Sequence, residues 1–325
     1  TEKDTAPVRR IWELPGRTPS EKYSVPSGQS GRMQLAQWLV DSQDGAGELL
    51  ARVTANRVWQ HLMGRPLVRT VDNFGLSGAE PSHPELLDYL ASRFIREDWS
   101  VKRLIREIVL SSAYQMSSQS SEQAQQIDPA NQYYWRHTPR RLDAEALRDA
   151  QLAVSDRLEV VRGGKTLQHL GLITISSDMI DLDTPSPYAR RTVYLPSIRD
   201  AVGISDDIDK TTSMVAAFDR ASPNLVCGRR DRSTRPQQAL FLMNSEFVFE
   251  NAEHLADSLQ SIEVPQQRVQ SLFRRVLSRP PSEHELQECL ALVQELNHAT
   301  DEPSDAGWTG LCQVLITCNE FLFLR

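Results

Sequence analysis

Two short stretches gather the side chains best suited to chemistry. Cys227-Gly-Arg229-Arg230-Asp-Arg232 sets a thiol and three guanidiniums just ahead of Pro236, and Arg190-Arg191 with Tyr194 adds two guanidiniums and a ring. Arginine at this density holds carboxylate, sulfate or phosphate groups through forked contacts. The second run leads into a helix start, where free N–H groups and the dipole also favour anions. From 186 to 235, nine basic residues stand against six aspartates in a chain of net charge -7. That local excess predicts a basic surface on an acidic protein. Three residues are candidates for catalysis. Asp219 and Asp143 are the pair that glycoside cleavage would need, two carboxylates facing each other across the bond. Cys227, among arginines, is a nucleophile candidate, with no histidine beside it in sequence.

A second polar group lies upstream. Leu49, Val53, Asn56, Gln60 and Met63 follow helical spacing, so two amides sit on an apolar stripe, and Arg57 and His61 stack on the next face. Asn56, Arg57, Gln60 and His61 form either a structural network or one wall of a site. The arginine-rich loop is expected to meet this face. Tyr133, Tyr134 and Trp135, interleaved with Arg136, His137, Arg140 and Arg141, either stack a sugar or base or pin two helices.

Other chemistries lack their patterns. The seven histidines show no paired spacing, no Cys-x-x-Cys occurs, and Asp178, Asp181 and Asp183 lack the closing glutamate of a calcium loop. No metal is expected. Gly163-Gly-Lys-Thr166 fails as a phosphate loop, because Glu159 stands where glycine is needed. The four cysteines, Cys227, Cys289, Cys312 and Cys318, read as free thiols, with a disulfide left open for an exported parent.

The elements positioning these residues are mostly helices. Residues 1–31, with Pro7, Pro15, Pro19 and Pro26, predict an extended arm. Helices follow at 32–43, 48–63 with Gly64 as its cap, 84–97 and from Ser100, then a polar connection from 111 to 126. Leu142 to Glu159 is amphipathic. Arg190 to Pro196 is the best strand. Thr234 and Gln237 predict a capping box opening a helix apolar on most sides, hence buried. Ser82 with Glu85 and Ser282 with Glu285 repeat the box. Residues 308–324 predict one last apolar helix in an antiparallel bundle. The expected fold is mainly α, an orthogonal or antiparallel multi-helix bundle with one or two short strands around 172–196. Its parts are the arm, a main domain over 32–260 with an irregular insertion at 160–234, and a C-terminal helical subdomain over 261–325.

The acidic balance argues against nucleic acid as a partner. No run reaches the ~18 apolar residues of a membrane span. The chain starts at Thr1, without methionine or signal-peptide pattern, and is read as a piece of something longer.

Several motifs occur together: Asn56-Arg57-x-Trp59-Gln60-x3-Gly64; Asp72-Asn-Phe-Gly75; Ser82-His-Pro-Glu-Leu-Leu-Asp88; Ser111-Ser-Ala-Tyr114; Arg140-Arg-Leu-Asp-Ala-Glu-Ala-Leu-Arg-Asp149; Arg191-x-Val-Tyr194; Phe218-Asp219; Ser233-Thr-x-Pro-Gln-x-Ala-Leu240 with Asn244; and Asn319-Glu-Phe321. Over roughly 32–325 the chain resembles a planctomycete-specific C-terminal domain of unknown function, found in large exported proteins that carry a cytochrome c module. Met116 and Arg235 depart slightly from that pattern. The resemblance implies an exported parent at the periplasm or cell surface, haem c only in an upstream module, no cofactor in this chain, and the parent's other domains as partners. It implies no known activity. Two readings stay open beside a weaker thiol or metal enzyme: a structural or docking module of a cytochrome-c-associated assembly, and binding or cleavage of acidic or sulfated polysaccharide.

Overall fold

The computed structural model describes residues 21–75, 77–162, 189–194, 214, 217–221, 225–230, 232–299 and 306–324. The Gly163–Thr166 turn, Asp178, Asp181, Asp183 and the arm before residue 21 lie outside them. The chain divides into two compact units, Thr1–Thr138 and Pro139–Arg325. The boundary expected near 260 falls inside the second. Among the described residues there are twelve α-helices and one two-stranded sheet, so the fold is mainly α.

The first unit holds a 3-10 turn (Glu21–Tyr23), α1 (Arg32–Val40), α2 (Gly47–Met63), α3 (Pro84–Arg96), α4 (Val101–Val109) and α5 (Glu122–Ile127). Helix α2 is its axis, packed by α1, α3 and α4. The buried face of α2 carries Ala51, Ala55, Asn56, Trp59, Gln60 and Met63. Leu49 is exposed, so the stripe is rotated from the expected one. Two alanines let neighbouring helices close in, and Trp59 fills the space beyond them. Leu67, Leu87, Leu90, Phe94, Leu104 and Ile108 complete this core. Gly64, at φ 79°, ends α2 as expected, its N–H donating to Gln60 O. Ser100 caps α4 by accepting from Arg103 N–H at 3.4 Å. Ser82 does not cap α3: its hydroxyl pairs with His83 Nδ1 at 3.0 Å, and His83 is the cap position. The connection expected over 111–126 contains α5, because Ser121 Oγ takes Ala124 N–H. Buried Tyr23 donates to Asp41, which also pairs with Lys22, and this fastens the end of the arm.

The second unit comprises β1 (Arg140–Arg141), α6 (Ala144–Val154), a 3-10 turn (Thr192–Tyr194), α7 (Pro236–Asn244), α8 (Glu246–Asp257), α9 (Pro265–Leu277), α10 (Glu283–Ala299), α11 (Ala306–Thr317), α12 (Asn319–Leu322) and β2 (Phe323–Leu324). Its core runs from Ala144 and Leu147 through Val248, Leu255, Val269 and Leu272 to Leu311, Cys312 and Ile316. Helix α11 lies at the centre, against α8, α9 and α10. A Cβ on Gly307 would come within 2.4 Å of Val293 O, so α10 and α11 pack backbone to backbone there.

Five expectations are corrected here. The last helix breaks at Cys318, and the chain ends as β2, antiparallel to β1 with Arg141 opposite Phe323. Among the described residues the sheet is at 140–141 and 323–324. Of the strand expected around 172–196 only 189–194 are described, and there Arg190 makes an isolated bridge to Glu159 while Thr192–Tyr194 is a 3-10 turn, because Asp149 Oδ1 takes Thr192 N–H (2.8 Å). Helix α6 stops at Val154, where Ser155 Oγ folds back on Gln151 O and Asp156 turns left-handed at φ 58°. The helix expected to be buried over 239–249 is two helices meeting at Ser245, with Leu240, Met243 and Phe249 exposed. Thr234 and Gln237 form no capping box: Arg235 is the cap position, and only Gln238 Oε1 reaches back, to Arg235 N–H at 3.5 Å. The Ser282–Glu285 box forms as expected.

Candidate functional site

In the second unit the polar motifs converge on the start of α6. The strand pair aims Arg141, which donates to Asp219 Oδ2 (2.8 Å), Ser233 O (2.7 Å) and Gln238 Oε1 (2.6 Å). Its guanidinium lies over Phe218 at 5.3 Å. Asp219, left-handed at φ 60°, also accepts from the Ser233 amide (2.8 Å) and hydroxyl (2.5 Å). Gln238 donates to Ala217 O and Ser233 O. Burial works to raise the Asp219 carboxyl, but Ser233 and Arg141 outweigh it and hold it below the usual range. Asp219 is thus an acceptor-only anion with its oxygens engaged, and has no proton to give as a general acid.

The first turns of α6 bind the other segments. Glu145 Oε2 accepts from Arg230 at 2.5 Å, while Thr192 Oγ1 donates to its carbonyl at 3.4 Å. Burial pushes the Glu145 carboxyl up, but Arg230 pulls it further down. Asp143 sits 3.9 Å from Arg232, a loose pair with both side chains nearly half exposed. Arg148 is 1% exposed. It donates to Arg190 O (2.9 Å) and Thr192 Oγ1 (3.2 Å), lies 3.6 Å from Asp149, and stacks on Phe247. Burial lowers its pKa to about 10, against the nearby Asp149 charge. Arg190 is buried, donates to Val161 O at 3.2 Å, and covers the Tyr194 ring at 4.6 Å.

Of the residues expected to bind, Arg190, Tyr194, Arg230 and Arg232 are gathered around α6, with Asp143. Arg191, Arg229 and Cys227 are exposed. Asn56, Arg57, Gln60, His61 and Trp135 belong to the first unit. Asn56 is fully buried and clamps Val68, accepting its N–H (2.8 Å) and donating to its carbonyl (3.1 Å). Gln60 is buried, and Arg57 and His61 are exposed. The Trp135 indole donates to Asp128 O (2.9 Å) beneath the Arg136 guanidinium. Tyr134, at φ 55°, accepts from Trp59 Nε1 at 2.9 Å and meets that ring edge-on. The loop at 128–138 therefore grips α2, which is the pinning reading of that cluster.

Sequence reasoning puts none of the network's centre among the site candidates: Arg141 is assigned to the aromatic cluster, and Glu145, Arg148, Ser233 and Gln238 stand only inside family motifs. A signal existed, since Glu145, Arg148 and Asp149, at i, i+3, i+4 spacing, interrupt a helix whose other residues, Gln151 apart, are apolar. Among the described residues no three His, Cys, Asp or Glu side chains group as a metal site. No disulfide joins the four cysteines. Burial pushes the Cys289 and Cys312 thiols up to about 11 and about 12.

No curated protein and no solved structure is significantly similar to this chain. The family match, in contrast, takes in both the α2 motif and the α6 network: over residues 31–293 the chain belongs to PSD1, the family described as protein of unknown function (DUF1553).

Proposed function

We propose that the chain is a structural docking module of a larger protein, with no chemistry of its own. The observation that carries this reading is the occupation of the motif side chains by one another: the two terminal nitrogens of Arg141 and the oxygens of Asp219 are spent on Ser233, Gln238 and each other. A catalytic acid needs a free face and a pKa raised toward its working pH, and Asp219 has neither. The family resemblance extends the reading to an exported parent with haem c in another module.

Replacing Arg141 by alanine tests it. The change strands an ionised, largely buried Asp219, so stability should fall by an amount at the low end of ~3–5 kcal/mol. An unchanged denaturation midpoint would remove the structural role. A second reading, binding of acidic or sulfated polysaccharide, is favoured by the exposure of Arg191 and Arg229. Its test is titration with dextran sulfate against neutral dextran.

A further inference from the structure

Pinning α2 accounts for Tyr134 and Trp135 but not for Tyr133. That residue lies between two left-handed ones of the same loop, Asn131 at φ 49° and Tyr134 at φ 55°. Residues with side chains rarely take that conformation, and keep it only where their surroundings enforce it. Here buried Asn131 donates to Arg136 O (2.8 Å) and Thr138 Oγ1 (2.9 Å). Asp128 Oδ2 accepts the Tyr133 amide (2.8 Å), and Arg65 donates to Ala130 O (2.6 Å). The two turns send the Tyr134 ring in against Trp59 and leave Tyr133 74% exposed. An exposed ring adds little to stability, so the core does not explain why the loop is fixed around it.

His83 stands beside that ring. The two planes meet at 86° with centroids 6.0 Å apart, and His83 is 5.8 Å from Tyr134. Ser82 holds the imidazole: its hydroxyl pairs with Nδ1 (3.0 Å), and its amide donates to Leu67 O (2.9 Å). Nε2 is then the nitrogen left for a ligand. Gln132, next to Tyr133, is exposed.

We infer that Tyr133 and His83 form a stacking site for one sugar ring of a neutral glycan, with the C–H face of the sugar on Tyr133 and its hydroxyls on His83 Nε2 and the Gln132 amide. The site goes beyond the docking reading and uses none of the arginines around α6. A flat ring whose surface neighbours are an imidazole, a hydroxyl and an amide suits a ligand that is apolar on one face and polar at its edge, as a pyranose is. A sugar hydroxyl fits either tautomer of the imidazole. Arg65, the cation that reaches this loop, is committed to Ala130 O, so the contact does not rest on charge. A proline-rich segment also lies on tyrosine, but grooves for it are lined by several rings, and here Tyr134 faces inward. A nucleotide would bring phosphates to a chain of net charge -7.

The test is a titration of the whole chain with cellohexaose, xylohexaose, mannohexaose and maltohexaose, followed by ligand-detected NMR, beside a polyproline peptide. At least one sugar should bind, with an affinity that added salt leaves unchanged. Tyr133→Ala should weaken that binding about tenfold, and Tyr133→Phe should keep most of it. The residue is exposed, so thermal unfolding should not move with either substitution. Failure of every sugar, loss of binding in salt, or binding untouched by Tyr133→Ala would overturn the inference. So would a polyproline peptide that holds Tyr133 more tightly than any sugar. The docking reading fails separately, on an Arg141→Ala chain that stays as stable as the parent.

Discussion

Glu285 and Arg279 carry the clearest pH signature at the scale of single residues. Arg279 forks onto Glu285 (2.6 and 2.9 Å) and onto Glu320 (both 2.7 Å), and the Ser282 amide adds a bond to Glu285. These partners, Arg279 first, hold the Glu285 carboxyl down to about 2 from an ordinary 4.5. A depressed folded-state value means stability that is present above the unfolded value and lost as pH falls through the folded one. The window is therefore about pH 4.5 to 2. In urea unfolding, the advantage of the native chain over Glu285→Gln should be full at pH 6 and shrink as pH drops toward 2.5. An advantage constant over that range would mean the carboxylate charge does not matter. The Ser282–Glu285 box was legible because both partners lie in one local pattern. The Arg141–Asp219 pair, 78 residues apart, was not. Spacing reports neighbours on one element, while a buried charge chooses its partner through the fold. For the same reason Arg229 stood among the binding candidates, while Arg141, which holds Asp219, did not.

Elements behave similarly. Helix positions were readable from periodicity, and α2, α3 and α4 lie close to where it put them. Ends were not, where a long-range bond decides them. Asp149 takes the Thr192 amide that a strand would have used. The break at Cys318 frees the last residues to pair with β1, although 308–324 reads as one apolar run. That break has a consequence for the candidate site. Helix α12 is held by Glu320 on Arg279, and β2 then fixes β1, which aims Arg141. Removing Asn319–Arg325 should destabilise the second unit and also loosen Arg141 from Asp219. Residues acting as one unit are non-additive. Adding Arg141→Ala to the shortened chain should therefore cost clearly less stability than it costs in the full chain. Full additivity in denaturant unfolding would show that β2 does not position Arg141.

At the scale of the molecule, the two units have separate apolar cores. One is built on α2, from Ala51 to Ile108; the other runs from Ala144 to Leu322 and surrounds α11. Each core carries its own buried polar anchor: Asn56 on Val68, and Arg148 on Arg190 and Thr192. Composition set the size of core the chain could fill but not its division, because both units are helical and no change in composition marks residue 138. Stability in such a chain is local, and opening follows cooperative units. Asn56→Ala leaves the Val68 amide and carbonyl buried without partners, at a cost of ~1–3 kcal/mol. Arg148→Ala removes a side chain that is 1% exposed and strands the groups it holds. Native-state hydrogen exchange separates the two. Asn56→Ala should speed exchange in α2, α3 and α4, while Arg148→Ala should speed it in α6, α8 and α11. If either variant lowered protection equally in both sets of helices, the two cores would open as one cooperative unit.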